Sequence, residues 1–451
     1  MSKRKTRKRG KLERALPIMR ANAAGIDMGA TEAVAAVPAD RDSESVRTFA
    51  TFTEDLHALA DWLQQCKVDT VALESTGVYW IPLFQILEAR GLEVCLVNAQ
   101  HVRHVPGRKS DVLDCQWLQY LHSVGLLRAS FRPEQAICAI RSLLRHRENV
   151  VQIASMHVQH MQKALDQMNL QIHHVISDIT GVTGLAIMDA IIAGQQDPHE
   201  LAKLRDRRVK ASLETITKSL VGDYRPEHIF TLKQSEAAYR HCQQLIADCD
   251  REIQQGIETF GGPDGESGTH SSSSDDSTAA IPSFDLQTHL HRIYGVDLTA
   301  IPGLECLRIQ TIFSETGADL KSKFVTSESF CSWLNLCSKD GTSAGKHVRG
   351  PRLKTKNRAA NAFRLAALCL HNSKSFLGNF YRSQRARFGA PIAIKTTAHK
   401  LARIFYYLVT TRTAYDETVF AKLEANHQQR RLRRLQAVAQ QMGYALVQVR
   451  A

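Results

Sequence analysis

The sequence predicts an α/β amino-terminal domain, a long helical arm and a mostly α-helical carboxy-terminal domain. Three observations lead there. Strand-like and helix-like apolar runs alternate from Ala23 to Gly125, and three- and four-residue apolar spacing dominates residues 134–258. Residues 261–281, GGPDGESGTHSSSSDDSTAAI, offer almost nothing to bury. A chain of 451 residues also exceeds one ordinary domain.

The first domain is expected over residues 23–133, after a basic and disordered tail, 1–22. AAGIDMGATEAVAAVP reads as two strands joined by a turn at Met28-Gly29-Ala30, and VRTFATF as a third, giving an antiparallel meander. TEDLHALADWLQQC has helical spacing, with Thr53 as a plausible N-cap. TVALEST (70–76) is a strand, IPLFQILEARG a helix ended by Gly91, and EVCLVNA (93–99) another strand. After the basic loop HVRHVPGRKS comes a helix, DVLDCQWLQYLHSVG, closed by Gly125. Three strands, then helix, strand, helix, strand and helix, is the layout of an RNase H-like domain.

Residues 134–260 read as a helical hairpin or coiled-coil arm, broken at Gly181-Val182-Thr183-Gly184 and at Arg225-Pro226. Its His157, His160, His173 and His174 read as exposed helix residues, because no carboxylate stands at a fixed ligand spacing. Residues 261–284 form a Ser/Gly-rich linker. A second globular region is expected over 285–425, opening with a helix, a Pro-Gly turn and a helix. This resembles a helix-hairpin-helix, whose turn can present backbone N–H groups to a phosphate. NRAANAFRLAALCLHN and IKTTAHKLARIFYYLVTT follow as helices, and 426–451 is a basic helical tail.

The composition narrows the function. The formal net charge is +13 and the pI about 9.3, which suits a polyanionic partner, nucleic acid before anionic membrane. From Gly341 to Tyr415 there is no Asp or Glu, while Lys and Arg recur throughout. Such a stretch repels itself unless something anionic lies against it. No run of about 18 apolar residues is present, nor a secretory signal pattern, so a cytoplasmic protein is expected. The ten cysteines lack CxxC pairing and read as reduced core thiols, so a structural zinc site is not expected from them.

Four acids of the first domain stand where this fold would gather them. Asp27 closes the first strand in GIDMG, and Glu74 closes the next buried strand in ALEST. Asp111 and Asp114 stand three apart at the start of a helix and share a face. Phosphodiester cleavage uses divalent cations to neutralise developing charge, and two metals about 3.5–4 Å apart can clamp the attacking and leaving oxygens. Mg²⁺ prefers oxygen ligands and keeps several waters, so three or four carboxylates suffice. Arg103, Arg108 and Lys109, just ahead of Asp111, are placed to hold a phosphate against the metals. Taken singly, each acid also fits a strand end, a helix cap or a surface ion pair.

These residues carry a family likeness. GIDMG, ALESTGVYW, VNAQHV and VPGRKSDVLDCQWLQYLHSVGLLRASF resemble the IS110/IS1111 transposases, recombinases of bacterial insertion sequences. AIPGL, FCSWLNL, TSAGK and FGAPIAIKTTAHKLARIFYYLV extend the resemblance over most of residues 23–420. The resemblance implies a RuvC-like domain with an Asp-Glu-Asp-Asp metal site, matched by Asp27, Glu74, Asp111 and Asp114. It also implies a serine of the second domain that attacks DNA and forms a covalent phosphoserine. The motif match is Ser343 in TSAGK, with Ser338 as a competitor; the usual form is Ser-Gly-Gly, and Ala344 stands here in place of the first Gly. Flanking Lys346, Arg349, Arg352, Lys354 and Lys356 would position phosphates. The likeness further implies a structured RNA of the element that selects donor and target DNA, and a synaptic dimer or tetramer.

A serine hydroxyl is a weak nucleophile at neutral pH, and a nearby metal cluster can activate it. The expectation is therefore an RNA-guided DNA transposase or recombinase, acting in the bacterial cytoplasm at the nucleoid. The alternatives are a junction-selective nuclease using the same carboxylates with water, and a non-catalytic nucleic-acid scaffold.

Overall fold

The computed structural model describes residues 16–75, 77–98, 111–260, 282–337, 341–343, 346–348 and 357–445. It divides into two compact units, Met1–Arg132 and Pro133–Ala451. The linker expected at 261–284 falls mostly outside the described residues.

The first unit is mixed α/β and runs in the expected element order. Strands β1 (Ala23–Met28), β2 (Glu32–Ala36) and β3 (Val46–Ala50) precede helix α1 (Thr53–Gln65). Strand β4 (Thr70–Glu74), helix α2 (Trp80–Ala89), strand β5 (Glu93–Val97) and helix α3 (Asp111–Ser123) follow. The five strands form one sheet in the order β3-β2-β1-β4-β5. β1 pairs antiparallel with β2 and parallel with β4, and β5 extends the parallel side. One detail differs from expectation. Phe52, not Thr53, occupies the N-cap of α1, because the Leu56 amide returns to the Phe52 carbonyl; no side chain caps this end.

Strand side chains alternate between faces, and the two faces are built differently. Ala24, Ile26, Met28, Val71 and Leu73 pack with Leu56, Leu59 and Leu63 of α1 and Leu83 and Leu87 of α2. The opposite face carries Gly25, Ala36, Ala72 and Cys95, a row of small residues set side by side by the register. Helix α3 lies on that row. A Cβ at Gly25 would stand 2.3 Å from the Gln119 backbone nitrogen and 2.5 Å from the Cys115 carbonyl oxygen. Only glycine lets α3 come this close.

The second unit is built largely of helices. Helix α4 (Gln135–Gln167) is followed by α5 (Val182–Ile192), α6 (Pro198–Lys203) and α7 (Leu213–Ser219), then by α8 (Pro226–Glu258). Helix α4 ends at Gln167, earlier than the break expected at Gly181, which instead precedes α5; Pro226 opens α8 at a position where its missing N–H costs nothing. Helices α4 and α8 pack antiparallel, with Val150 and Ala154 against Cys242 and Ile246. At one end of this hairpin Ile140 meets Gly256. At the other, Met161, Leu165 and Leu232 join Ile187, Met188, Leu201 and Ile216 of the short helices in a separate core.

Helices α9 (Leu286–Tyr294), α10 (Cys306–Thr316), α11 (Leu320–Lys323) and α12 (Ser327–Trp333) lead to a small hairpin of β6 (Gly341–Ser343) and β7 (Lys346–Val348). Helices α13 (Arg358–Cys369), α14 (Phe376–Phe388), α15 (Ala390–Thr411) and α16 (Ala421–Gln441) complete the chain. Their core is aromatic: Tyr294–Phe405, Phe363–Phe405 and Phe330–Phe363 meet edge to face at 5.7, 5.5 and 6.2 Å. The Pro-Gly turn between α9 and α10 is a packing device on one side. Gly303, at φ +86°, leaves only 2.6 Å between a Cβ position and the Ala366 carbonyl of α13.

Six of the ten cysteines are buried and all are free thiols, as expected. Among the described residues no helix is long and apolar enough to cross a membrane.

Candidate active site

Helix α3 lies against the sheet face on which Asp27 and Glu74 stand. Helix α3 is anchored at its far end, where the buried His122 Nε2 lies 2.8 Å from Thr70 Oγ1 at the start of β4. Its middle rests on Gly25 through Cys115 and Gln119. From His122 back to Asp114 the helix rises about 12 Å. From Thr70 forward to Glu74 the strand rises about 13 Å. The two lengths agree, so the first turn of α3 arrives beside the ends of β1 and β4.

Those ends carry the acids. Asp27 and Glu74 share the α3 face with Gly25 and Ala72 by strand alternation. The parallel register pairs Ile26 with Leu73, and one further step sets Asp27 beside Glu74 on neighbouring strands. Ser75 fixes the end of β4 by donating its amide and its hydroxyl to the Val97 carbonyl at 2.9 and 3.0 Å. Asp27, Glu74 and Asp114 are all half-buried.

Asp27 and Asp114, but not Glu74, act on the buried thiol of Cys115. Burial pushes its thiol up to about 11, and the carboxylates of Asp27 and Asp114 both add to the rise. Two acids from different elements therefore act on one buried atom. An all-oxygen set of this kind fits a hard divalent cation, which would offset the mutual repulsion of the carboxylates. Asp111 opens α3, one turn before Asp114; its side chain lies outside the described residues.

Ser343 is the last residue of β6 and pairs with Lys346, the first of β7, leaving Ala344 and Gly345 between them. The segment ahead of the hairpin is tethered where Lys395 Nζ donates to the Cys337 carbonyl at 2.9 Å. The side chains of Ser343 and Lys346 lie outside the described residues, as do Ser338, Arg103, Arg108, Lys109, Arg349, Arg352, Lys354 and Lys356.

The acid-free stretch is partly neutralised from within the second unit. Arg358 pairs with Glu148 of α4, and Arg403 pairs with Glu328 at 3.2 Å. Lys400 is turned inward over Phe376 and Phe380, 4.7 and 4.6 Å from the ring centres, and burial lowers its pKa. The sequence did not reveal these partners, because the acids come from distant elements. Arg385 and Arg387 on α14 remain exposed.

Two features escaped the sequence reading. Val78 and Tyr79 stand 66% and 46% exposed just beyond β4, at the strand end that carries Glu74. The other is a carboxylate partner for two of the histidines: Asp166 lies with His173 and His174 in a cluster that could hold a metal ion.

Residues 24–170 match the family profile of the IS110 DEDD transposases, described as a transposase. No curated protein matches the chain significantly. The matched segment spans Asp27, Glu74, Asp111 and Asp114, and transposases of the DEDD type generally work with a divalent metal. The chain therefore carries an IS110-type transposase domain over residues 24–170, and that domain supports a DNA-processing transposase enzyme.

Proposed function

We propose that this transposase cuts and rejoins DNA through a covalent bond between Ser343 and a DNA phosphate, with Mg²⁺ held by Asp27, Glu74, Asp111 and Asp114. What supports this reading is that Asp27 and Glu74 end neighbouring strands on the face covered by α3, and that Asp27 and Asp114 both lie near the buried Cys115. The order of elements supports an RNase H-like domain as their scaffold. Bound there, the metal supplies charge neutralisation and a lowered pKa for the attacking hydroxyl.

The chain's own residues then have distinct roles. Asp27 and Glu74 sit on adjacent strands and give a rigid pair of oxygen donors. Asp114, and Asp111 one turn earlier, approach from the helix. In the chemical step the Ser343 Oγ–P bond forms as one P–O bond to a deoxyribose breaks. The freed sugar oxygen gains a proton, and the serine loses one. Attack by another strand's hydroxyl reverses the exchange and releases Ser343, so rejoining needs no external energy source. Lys346, Arg349, Arg352, Lys354 and Lys356 would hold phosphates near the serine, and Arg103, Arg108 and Lys109 near the metals. A structured RNA from the element fits the excess of positive charge as the second polyanion, and a dimer or tetramer would bring two DNA partners together.

The test separates chemistry from binding. Asp27→Asn and Ser343→Ala should each abolish strand transfer while DNA and RNA affinity changes by less than about threefold. Cleavage that persists in Ser343→Ala but not in Asp27→Asn would instead assign water as the nucleophile.

A further inference from the structure

We propose that Asp166, His173 and His174 form a second metal site, selective for a zinc-like transition-metal dication rather than Mg²⁺. The three residues each offer one ligand atom, and these atoms all lie within 4.8 Å of one another. The donor set is two imidazoles and one carboxylate. Nitrogen donors suit zinc-class ions, whereas Mg²⁺ keeps to oxygen ligands. This inference is independent of the carboxylate site, which lies in the other unit.

The backbone prepares the arrangement before any ion arrives. Helix α4 ends at Gln167, and Asn169 takes a left-handed conformation, φ +57°, that turns the chain back. Leu170 and Ile172 then plug into the core with Met161, Leu165 and Met168. The Gln171 amide is tied to the Ser219 carbonyl of α7 at 2.8 Å. Residues Ile172–His174 form a single 3-10 turn, which sets the two histidines against the last turn of α4.

Within the cluster, His173 Nε2 lies 3.2 Å from Asp166 Oδ1. Two ligands of a tetrahedral zinc ion stand about 3.3–3.5 Å apart, given metal–ligand distances of about 2.0–2.2 Å. The first pair is therefore already at ligand spacing. The His173 ring is held by its surroundings, its side chain only 9% exposed, and its Nδ1 is buried without a partner. All of its polar engagement is thus directed at Asp166. The His174 ring stands 4.0 Å from that of His173, tilted by 44°.

The charges favour a metal over protons. Two imidazolium rings 4.0 Å apart would repel each other, whereas two neutral rings can share one cation. A neutral imidazole is the form that binds metal. Asp166 and His174 are exposed, so a cation has a route in, and a fourth position stays open to water. An ion there would fasten the end of α4 to the following turn and stiffen the small helical core around it.

The experiment uses tag-free full-length protein carrying Asp27→Asn and Asp114→Asn, stripped with chelator and kept in excess Mg²⁺, titrated with Zn²⁺ by calorimetry. One equivalent of Zn²⁺ should bind, and Zn²⁺ should raise Tm. His174→Ala and Asp166→Asn, added singly at exposed positions that leave the core intact, should each weaken binding by at least about tenfold and remove the Tm shift. Co²⁺ in place of Zn²⁺ should give the visible absorption of a tetrahedral site, lost in the same variants. No Zn²⁺ binding in excess Mg²⁺, or equal binding in parent and both variants, would overturn the proposal.

Discussion

At the residue scale the site depends on one missing side chain. Gly25→Ala would drive a methyl group into the backbone of Cys115 and Gln119, atoms that move only if α3 moves. Overpacking of this kind costs about 1–3 kcal/mol. The displaced helix carries Asp111 and Asp114, so strand transfer should fall further than the loss of folded protein explains; circular dichroism and activity on the same samples would show it. His122, at the other end of α3, gives a pH signature. Burial and the neighbouring Arg20 depress its pKa to about 4, below the usual 6.5. Between those values the unfolded chain binds a proton that the folded chain does not. The stability due to neutral His122 is therefore whole above about pH 6.5 and is lost as pH falls towards 4, at up to about 1.4 kcal/mol per pH unit. His122→Gln should flatten that part of a Tm-against-pH curve, and an unchanged slope would remove His122 as the cause. The strand-end placement of Asp27 and Glu74 was legible, because each follows a run of apolar strand residues. Gly25 was not, since its reason is a helix ninety residues further along the chain.

At the element scale, strands and helices of the first unit followed from periodicity. The long helices were equally plain, but the first ends at Gln167 rather than at Gly181, while the second opens at Pro226 as its proline suggests. What sequence could not supply was the pairing across the hairpin. Arg147 of α4 reaches Asp250 of α8 through two hydrogen bonds, 2.5 and 3.1 Å, with both side chains almost wholly buried. Asp250 also accepts the Ser283 amide at 3.3 Å, which ties the hairpin to the chain preceding α9. Removing one member of such a pair strands the other charge, so Asp250→Asn or Arg147→Met alone should destabilise by about 3–5 kcal/mol. The double replacement Arg147→Met, Asp250→Leu should recover part of that loss, because no charge stays buried and only the Ser283 amide loses its acceptor. Denaturant midpoints of the single and double variants decide it; additive losses would mean that the pair is not coupled. The histidine cluster was illegible for a related reason: Asp166 ends one helix while His173 and His174 belong to the next turn.

At the scale of the whole molecule, the excess of positive charge is partly internal, through Arg358 with Glu148, Arg403 with Glu328, and the buried Lys400. The exposed remainder is available to nucleic acid. Affinity for duplex DNA should fall linearly with salt on logarithmic axes, by about 0.9 per phosphate contacted. Arg385→Gln, on the exposed face of α14, should reduce that slope by about one contact and weaken binding equally for all sequences. A slope that does not change would place the DNA path elsewhere. The measurement that bears most directly on the central claim is a denaturing gel of end-labelled DNA incubated with the full chain, Mg²⁺ and the element's flanking RNA. The account predicts label that migrates with the protein, disappears with chelator, with Asp27→Asn and with Ser343→Ala, and maps to the peptide holding Ser343. Cleaved DNA that never carries protein would contradict it.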